Sequence, residues 1–173
     1  MKMNNAIIQV RYFSTFAKIC SPKSCDVSQP PVEPAGHAVV ELHEARGSGV
    51  TGTLIVERNS QGKIRIVGTV HGLEPGTHGF HVHEHGSIGN DCMDAGGHFN
   101  PYNTEDHVGD IGTIFTSADG VTRVHVVDDV ITLGDDGFQD IDGLSIVIHS
   151  RREEGQAKSR VAYGIIMSDI VHI

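Results

Sequence analysis

From His37 onward, apolar residues recur at every second position through eight short runs: "HAVVELHE" (37–44), "VTGTLIVE" (50–57), "KIRIVGTVH" (63–71), "HGFHVHEH" (78–85), "IGTIFTS" (111–117), "VTRVHVV" (121–127), "LSIVIHS" (144–150) and "RVAYGIIM" (160–167). A period of two sends alternate side chains to opposite faces, the pattern of a half-buried strand. The runs are separated by turn chemistry such as "NSQGK" (59–63), "LEPGT" (73–77) and "SADG" (117–120), which favours antiparallel hairpins and Greek-key connections over βαβ units. Two segments resist the strand pattern: 86–110, rich in Gly, Asp, Asn and His, and 150–159, "SRREEGQAKS". Loops of this kind on a rigid sandwich are where function usually sits. No run approaches the ~18 apolar residues of a membrane span, and no internal repeat is visible.

The start of the chain differs in kind. Residues 1–25 contain Lys2, Arg11, Lys18 and Lys23 and no acid. The stretch "VRYFSTFAK" has the basic, hydroxyl-bearing character of a mitochondrial transit peptide, with an ordinary leader as the alternative, and "AIIQV" is too short for a secretory signal. "SQPPVEP" (28–34) reads as a stiff extended linker, because proline continues neither helix nor central strand. This assigns 1–35 to a leader and Pro-rich linker and 36–173 to one domain. The location implied is mitochondrial or cytoplasmic rather than secreted.

Charge narrows the function. With 13 basic against 22 acidic residues, the net charge of -9 argues against a nucleic-acid surface, and an anionic substrate would need a local positive field. Twenty-one glycines and no Trp fit many turns between short strands. The three cysteines, Cys20, Cys25 and Cys92, make no metal-type pattern, and at least one lacks a partner within the chain.

The chemistry lies in imidazoles. His81, His83 and His85 alternate along one predicted strand and would share a face. His98 lies in "AGGHFNP", His107 and Asp110 in "HVGD", and His149 ends "LSIVIHS". Neutral imidazoles suit copper and zinc, and a carboxylate suits zinc. Spacing alone does not bring these residues together.

In order and context, "GTHGFHVHEHG", "AGGHFNP", "HVGDIG" and "SRVAYGII" resemble the signatures of the copper/zinc superoxide dismutase family, over about 37–167. The resemblance implies an all-β, eight-stranded antiparallel Greek-key β-sandwich or flattened barrel, immunoglobulin-like, with long functional loops. It implies His81, His83, His98 and His149 as copper ligands, and His98, His107 and Asp110 as zinc ligands, His98 bridging the two metals. His98 and Arg160 are the implied catalytic residues, one donating a proton and the other guiding the superoxide anion with a permanently charged guanidinium. The reaction implied is conversion of two superoxide anions to dioxygen and hydrogen peroxide by copper redox cycling. A homodimer and a copper-chaperone contact for metal loading are the implied partners, with no nucleic acid and no membrane. Gly79 and Gly109 are expected where backbone passes close to the ligand loops.

The chain departs from the family in three places. Eight residues separate His98 from His107, and "FNPYNTED" has no histidine, so one zinc ligand is missing and zinc is expected to be weak or absent unless Glu105 or Asp106 substitutes. The segment between His149 and Arg160 is short, which should leave copper more open, with Lys158, Arg151 and Arg152 set among Glu153 and Glu154. Cys92 stands where the family has half of a disulfide, but Tyr163 occupies the place of the other half. Cys92 is therefore expected free, the alternative being a link to Cys20 or Cys25. His85 is expected in packing or a subunit contact; His37, His43, His71, His78, His125 and His172 are expected to be ordinary surface or hydrogen-bonded imidazoles. The alternative function is a catalytically impaired, dismutase-like copper-binding protein.

Overall fold

The computed structural model describes residues 36–87, 89–151 and 159–169. The expected leader, with Cys20 and Cys25, lies outside the described residues, as do Arg152, Glu153, Glu154, Lys158 and His172. The alternating runs become β1 (His37–Glu44), β2 (Thr51–Arg58), β3 (Ile64–His71), β4 (Gly76–His83), β5 (Thr113–Thr116), β6 (Val121–Asp128), β7 (Ser145–Arg151), β8 (Arg160–Ile165) and β9 (Met167–Ser168). The sheet order is β5-β4-β7-β8-β1-β2-β3-β6, every pairing is antiparallel, and β9 pairs with β1. The expected all-β Greek-key sandwich is the fold observed. At the open side, the hydroxyls of Thr116 on β5 and Thr122 on β6 meet at 2.6 Å, satisfying two buried polar groups at once.

The eighth run splits for a physical reason. Ile166 is fully buried, its N–H donates to Leu144 O and its carbonyl accepts from Gly143 N, so it pairs with the turn before β7. The chain then crosses to β1, where Met167 stands opposite Val39.

Inward positions fill one core: Ala38, Val40 and Leu42 from β1, Leu54 and Val56 from β2, Ile64, Ile66 and Val70 from β3, Phe80 and Val82 from β4, and Ile146 and Ile148 from β7. Burial of each large aliphatic or aromatic side chain contributes roughly 1.5–3 kcal/mol. This core makes a rigid platform for the loops.

β4 is buried on both faces from His78 to His83. Phe80 and Val82 enter the core, and segment 96–112 covers the other side. A β-bulge lies between His78 and Phe80. The strand ends at His83, so His85 does not continue the alternation; it is exposed, and its N–H donates to Ala95 O in the following loop. Loop pairing has replaced sheet pairing by that point.

Candidate metal centre

Segment 96–112 is stitched along β4 by backbone hydrogen bonds. Val82 N–H donates to Gly109 O at 2.9 Å, Phe99 N–H to Val82 O at 2.9 Å, Gly109 N–H to Phe99 O at 2.8 Å and Phe80 N–H to Gly112 O at 3.0 Å. Gly109 has to be glycine for this approach, because a Cβ there would lie 2.3 Å from Val82 O and 2.9 Å from Phe99 N. Gly79 leaves room for the His81 ring, whose Cε1 would lie 2.8 Å from a Cβ. Gly109 stands where backbone passes close to a ligand loop, as expected, whereas Gly79 makes room for a ligand ring on its own strand.

Four imidazoles converge as a result. His81 and His83 come from β4, His149 from β7 and His98 from the stitched segment, with one candidate ligand atom from each all within 4.8 Å of one another. Ring centroids of His81 lie 4.1 Å from His98 and 5.1 Å from His149, and His83 Nε2 lies 3.4 Å from His149 Nε2. The Nδ1 of His83 donates to Gly96 O at 3.1 Å, which leaves its Nε2 lone pair for a metal. The buried Nδ1 of His149 has no hydrogen-bond partner among the described residues. Burial, and then the nearby charges of His81, His83, His98 and Arg160, hold His149 down at about 3; burial chiefly holds His83 at about 4. Both rings are therefore neutral at neutral pH, the state in which imidazole binds a metal. A largely buried four-nitrogen set with an orphaned ring nitrogen fits copper.

A second group adjoins the first. Donor atoms of His98, His107 and Asp110 also lie within 4.8 Å of one another. The Asp110 carboxylate takes His98 Nδ1 at 2.5 Å and reaches His107 Nδ1 at 3.5 Å, so His98 belongs to both groups. Among the described residues no other His, Cys, Asp or Glu joins this group; Glu105 and Asp106 are exposed outside it. Two imidazoles and a carboxylate suit zinc, with one position open.

Arg160, at the start of β8, is clamped by three carbonyls: Nη1 donates to Cys92 O at 2.5 Å and Met93 O at 3.4 Å, and Nη2 donates to Gly96 O at 2.5 Å. Those carbonyls are aimed by a turn in which Asn90, Asp91 and Cys92 all have positive φ, at 52, 52 and 70°. The Arg160 side chain lines an open pocket of about 460 Å³ with His83, His98 and His149. Cys92 is free and fully buried, packed with Ala45, Ala95 and Val147, and Tyr163 lies against them. Burial pushes its thiol pKa up, while Arg160 opposes the shift.

One contributor escaped the sequence pattern. His78 is buried, and its ring spans from Glu74 O, 2.8 Å from Nε2, to His149 O, 3.0 Å from Nδ1. It is a hydrogen-bonded imidazole, as expected, and it ties β4 to β7 at a member of the four-imidazole set. No spacing signal marks it, because the bulge sets it apart from the register of His81 and His83.

Comparison with known proteins agrees with this geometry. The family model described as copper/zinc superoxide dismutase matches residues 50–166. A copper/zinc superoxide dismutase of Dictyostelium discoideum is 37% identical over 142 residues, covering 70% of this chain and 92% of its own length. One from Onchocerca volvulus is 37% identical over 145 residues, covering 70% and 90%. An extracellular copper/zinc superoxide dismutase of Haemonchus contortus is 39% identical over 123 residues, covering 60% and 66%. Matched over most of its sandwich and across nine-tenths of the first two relatives, the chain belongs to the copper/zinc superoxide dismutase family.

Proposed function

We propose that the protein converts two superoxide anions and two protons to dioxygen and hydrogen peroxide, with His81, His83, His98 and His149 as copper ligands and His98, His107 and Asp110 as zinc ligands. The observation that carries this reading is the convergence of four imidazoles, three of which line one open pocket with the clamped Arg160. Copper held there supplies a reversible one-electron couple. Arg160 binds the anion, and its three carbonyl contacts keep the guanidinium from swinging away. Asp110 fixes the His98 ring through Nδ1, so the other ring nitrogen faces the four-imidazole set and carries the proton delivered to the product. His98, His107 and Asp110 would hold zinc with one position open, and zinc there would supply a fixed positive charge that keeps the His98 ring in place.

The test is superoxide decay by the copper-loaded protein with and without Arg160→Ala. A loss of at least tenfold in the variant is expected. An inactive copper-loaded parent would favour the alternative, a catalytically impaired copper-binding protein, and unchanged activity in the variant would remove Arg160 from the reaction.

Two further readings complete the proposal. Homodimer formation is supported by the exposed apolar row Met167, Val39 and Ile55 across β9, β1 and β2, and sedimentation of Val39→Glu against the parent tests it. A mitochondrial or cytoplasmic location is supported by the acid-free first 25 residues, and the sequence of the mature N-terminus tests it.

A further inference from the structure

We propose that Arg46 is a second guidance residue for the anionic substrate, a guanidinium-bearing residue that lines the copper pocket. This rests on the copper assignment above. Arg46 lies in the turn between β1 and β2, far in sequence from every metal-ligand candidate, yet it lines the same pocket as His83, His98, His149 and Arg160. The turn is pinned there. Ala45 N–H and Ser48 Oγ both donate to Val161 O, at 2.9 and 2.5 Å, so the residues flanking Arg46 are tied to the neighbour of Arg160. Ala45 is also buried against Cys92 and Ala95, in the loop whose carbonyls clamp Arg160.

Two observations separate this arginine from an ordinary surface cation. Its φ is +56°, in the left-handed region that disfavours a long side chain, while Gly47 and Gly49 take the other positive φ values of the turn. Gly or Asn would suit the backbone better at 46. Its charge is also unspent: among the described residues no carboxylate forms an ion pair with it, and Glu44, two residues earlier, gives its carboxylate to Gly49 N–H at 2.8 Å. In a chain of net charge -9, bulk electrostatics repel superoxide, and capture depends on positive charge at the pocket itself. Arg160 is partly screened by the carbonyls it serves; Arg46 adds a second charge free to meet the incoming anion.

The experiment compares the copper-loaded parent with Arg46→Asn, which tolerates positive φ without charge, and Arg46→Lys, which keeps the charge. Superoxide decay is followed by pulse radiolysis across ionic strength, and azide is titrated against the Cu(II) absorption as a stable anion probe. Arg46→Asn should lower both the low-salt rate and the azide affinity about two- to threefold and flatten the salt dependence, with Arg46→Lys close to the parent and the thermal midpoint of Arg46→Asn no lower. Parent-like rate, salt dependence and azide affinity in Arg46→Asn would overturn the proposal. Equal losses in both variants would overturn it too, placing the effect in the turn backbone. If the parent shows no dismutase activity the catalytic reading falls, and the azide titration still decides this one.

Discussion

Replacing Gly109 by alanine should loosen the segment that carries His98, His107 and Asp110 while leaving the core intact. The φ of Gly109 is not in the left-handed region, so alanine meets no backbone penalty and the obstacle is contact alone. Its Cβ would fall 2.3 Å from Val82 O, 2.9 Å from Phe99 N and 3.0 Å from Phe99 Cβ, backbone and near-backbone atoms that cannot swing aside. Something must move, and what gives are the 2.9 Å bond from Val82 N–H to Gly109 O and the 2.8 Å bond from Gly109 N–H to Phe99 O. Overpacking costs about 1–3 kcal/mol and the two weakened hydrogen bonds about 0.5–1.5 kcal/mol each, so a loss of about 2–6 kcal/mol is expected. For a domain of this size that corresponds to roughly 4–24 °C in Tm. Because His98 adjoins Phe99 and Asp110 adjoins Gly109, the zinc group should be lost before the copper set, whose other three members sit on β4 and β7. Calorimetry of the metal-free protein and metal analysis of the loaded protein measure the two effects. An unchanged Tm together with full zinc content would refute the argument that close backbone approach positions this segment.

Three other outcomes follow from separate parts of the structure. His78→Phe keeps the ring volume but removes the N–H that the ring donates to Glu74 O or His149 O, so it should lower metal-free stability by about 1–3 kcal/mol and weaken copper binding through His149; parent-like copper affinity in a chelator competition would contradict the tie. Cys92, buried with its pKa raised, should resist alkylation in the native state and react only on unfolding, and rapid native labelling at that residue would contradict its packing. In the metal-free protein His83 and His149 titrate at about 4 and about 3 when folded, against 6.5 in an open chain. The unfolded state therefore takes up protons first, and stability contributed above about pH 7 should fall as pH drops from there toward 4; denaturant midpoints that stay flat between about pH 7 and 5 would contradict the neutral, desolvated cluster.

Much of the fold was legible because half-buried strands write their period into the chain, as "HAVVELHE" and "KIRIVGTVH" do. The failures mark where local period stops governing. His85 keeps the alternation of its strand but lies past the end of β4, where loop 95–97 takes over the pairing. Ile166 looked like strand interior, yet its hydrogen bonds go to residues 143 and 144 and break the run in two. At the site, His81, His83, His98, His107, Asp110 and Arg160 were readable from glycine-containing motifs, and His149 from the end of the apolar run that the resemblance extends over. His78 and Arg46 were not, since one acts through a bulge and the other through a turn folded over from β1, and both contacts exist only once distant strands have met.

The central claim, that four imidazoles form the copper site of a dismutase, is tested most directly by metal counting on the parent and on His149→Ala with superoxide decay read on the same samples. The parent should hold one copper per chain after dialysis against a chelator that strips its zinc, and should remove superoxide. His149→Ala should lose tight copper and activity together while His107→Ala keeps both copper and most of the activity. A His149→Ala protein that retains tightly bound copper and parent-level dismutation would contradict the assignment.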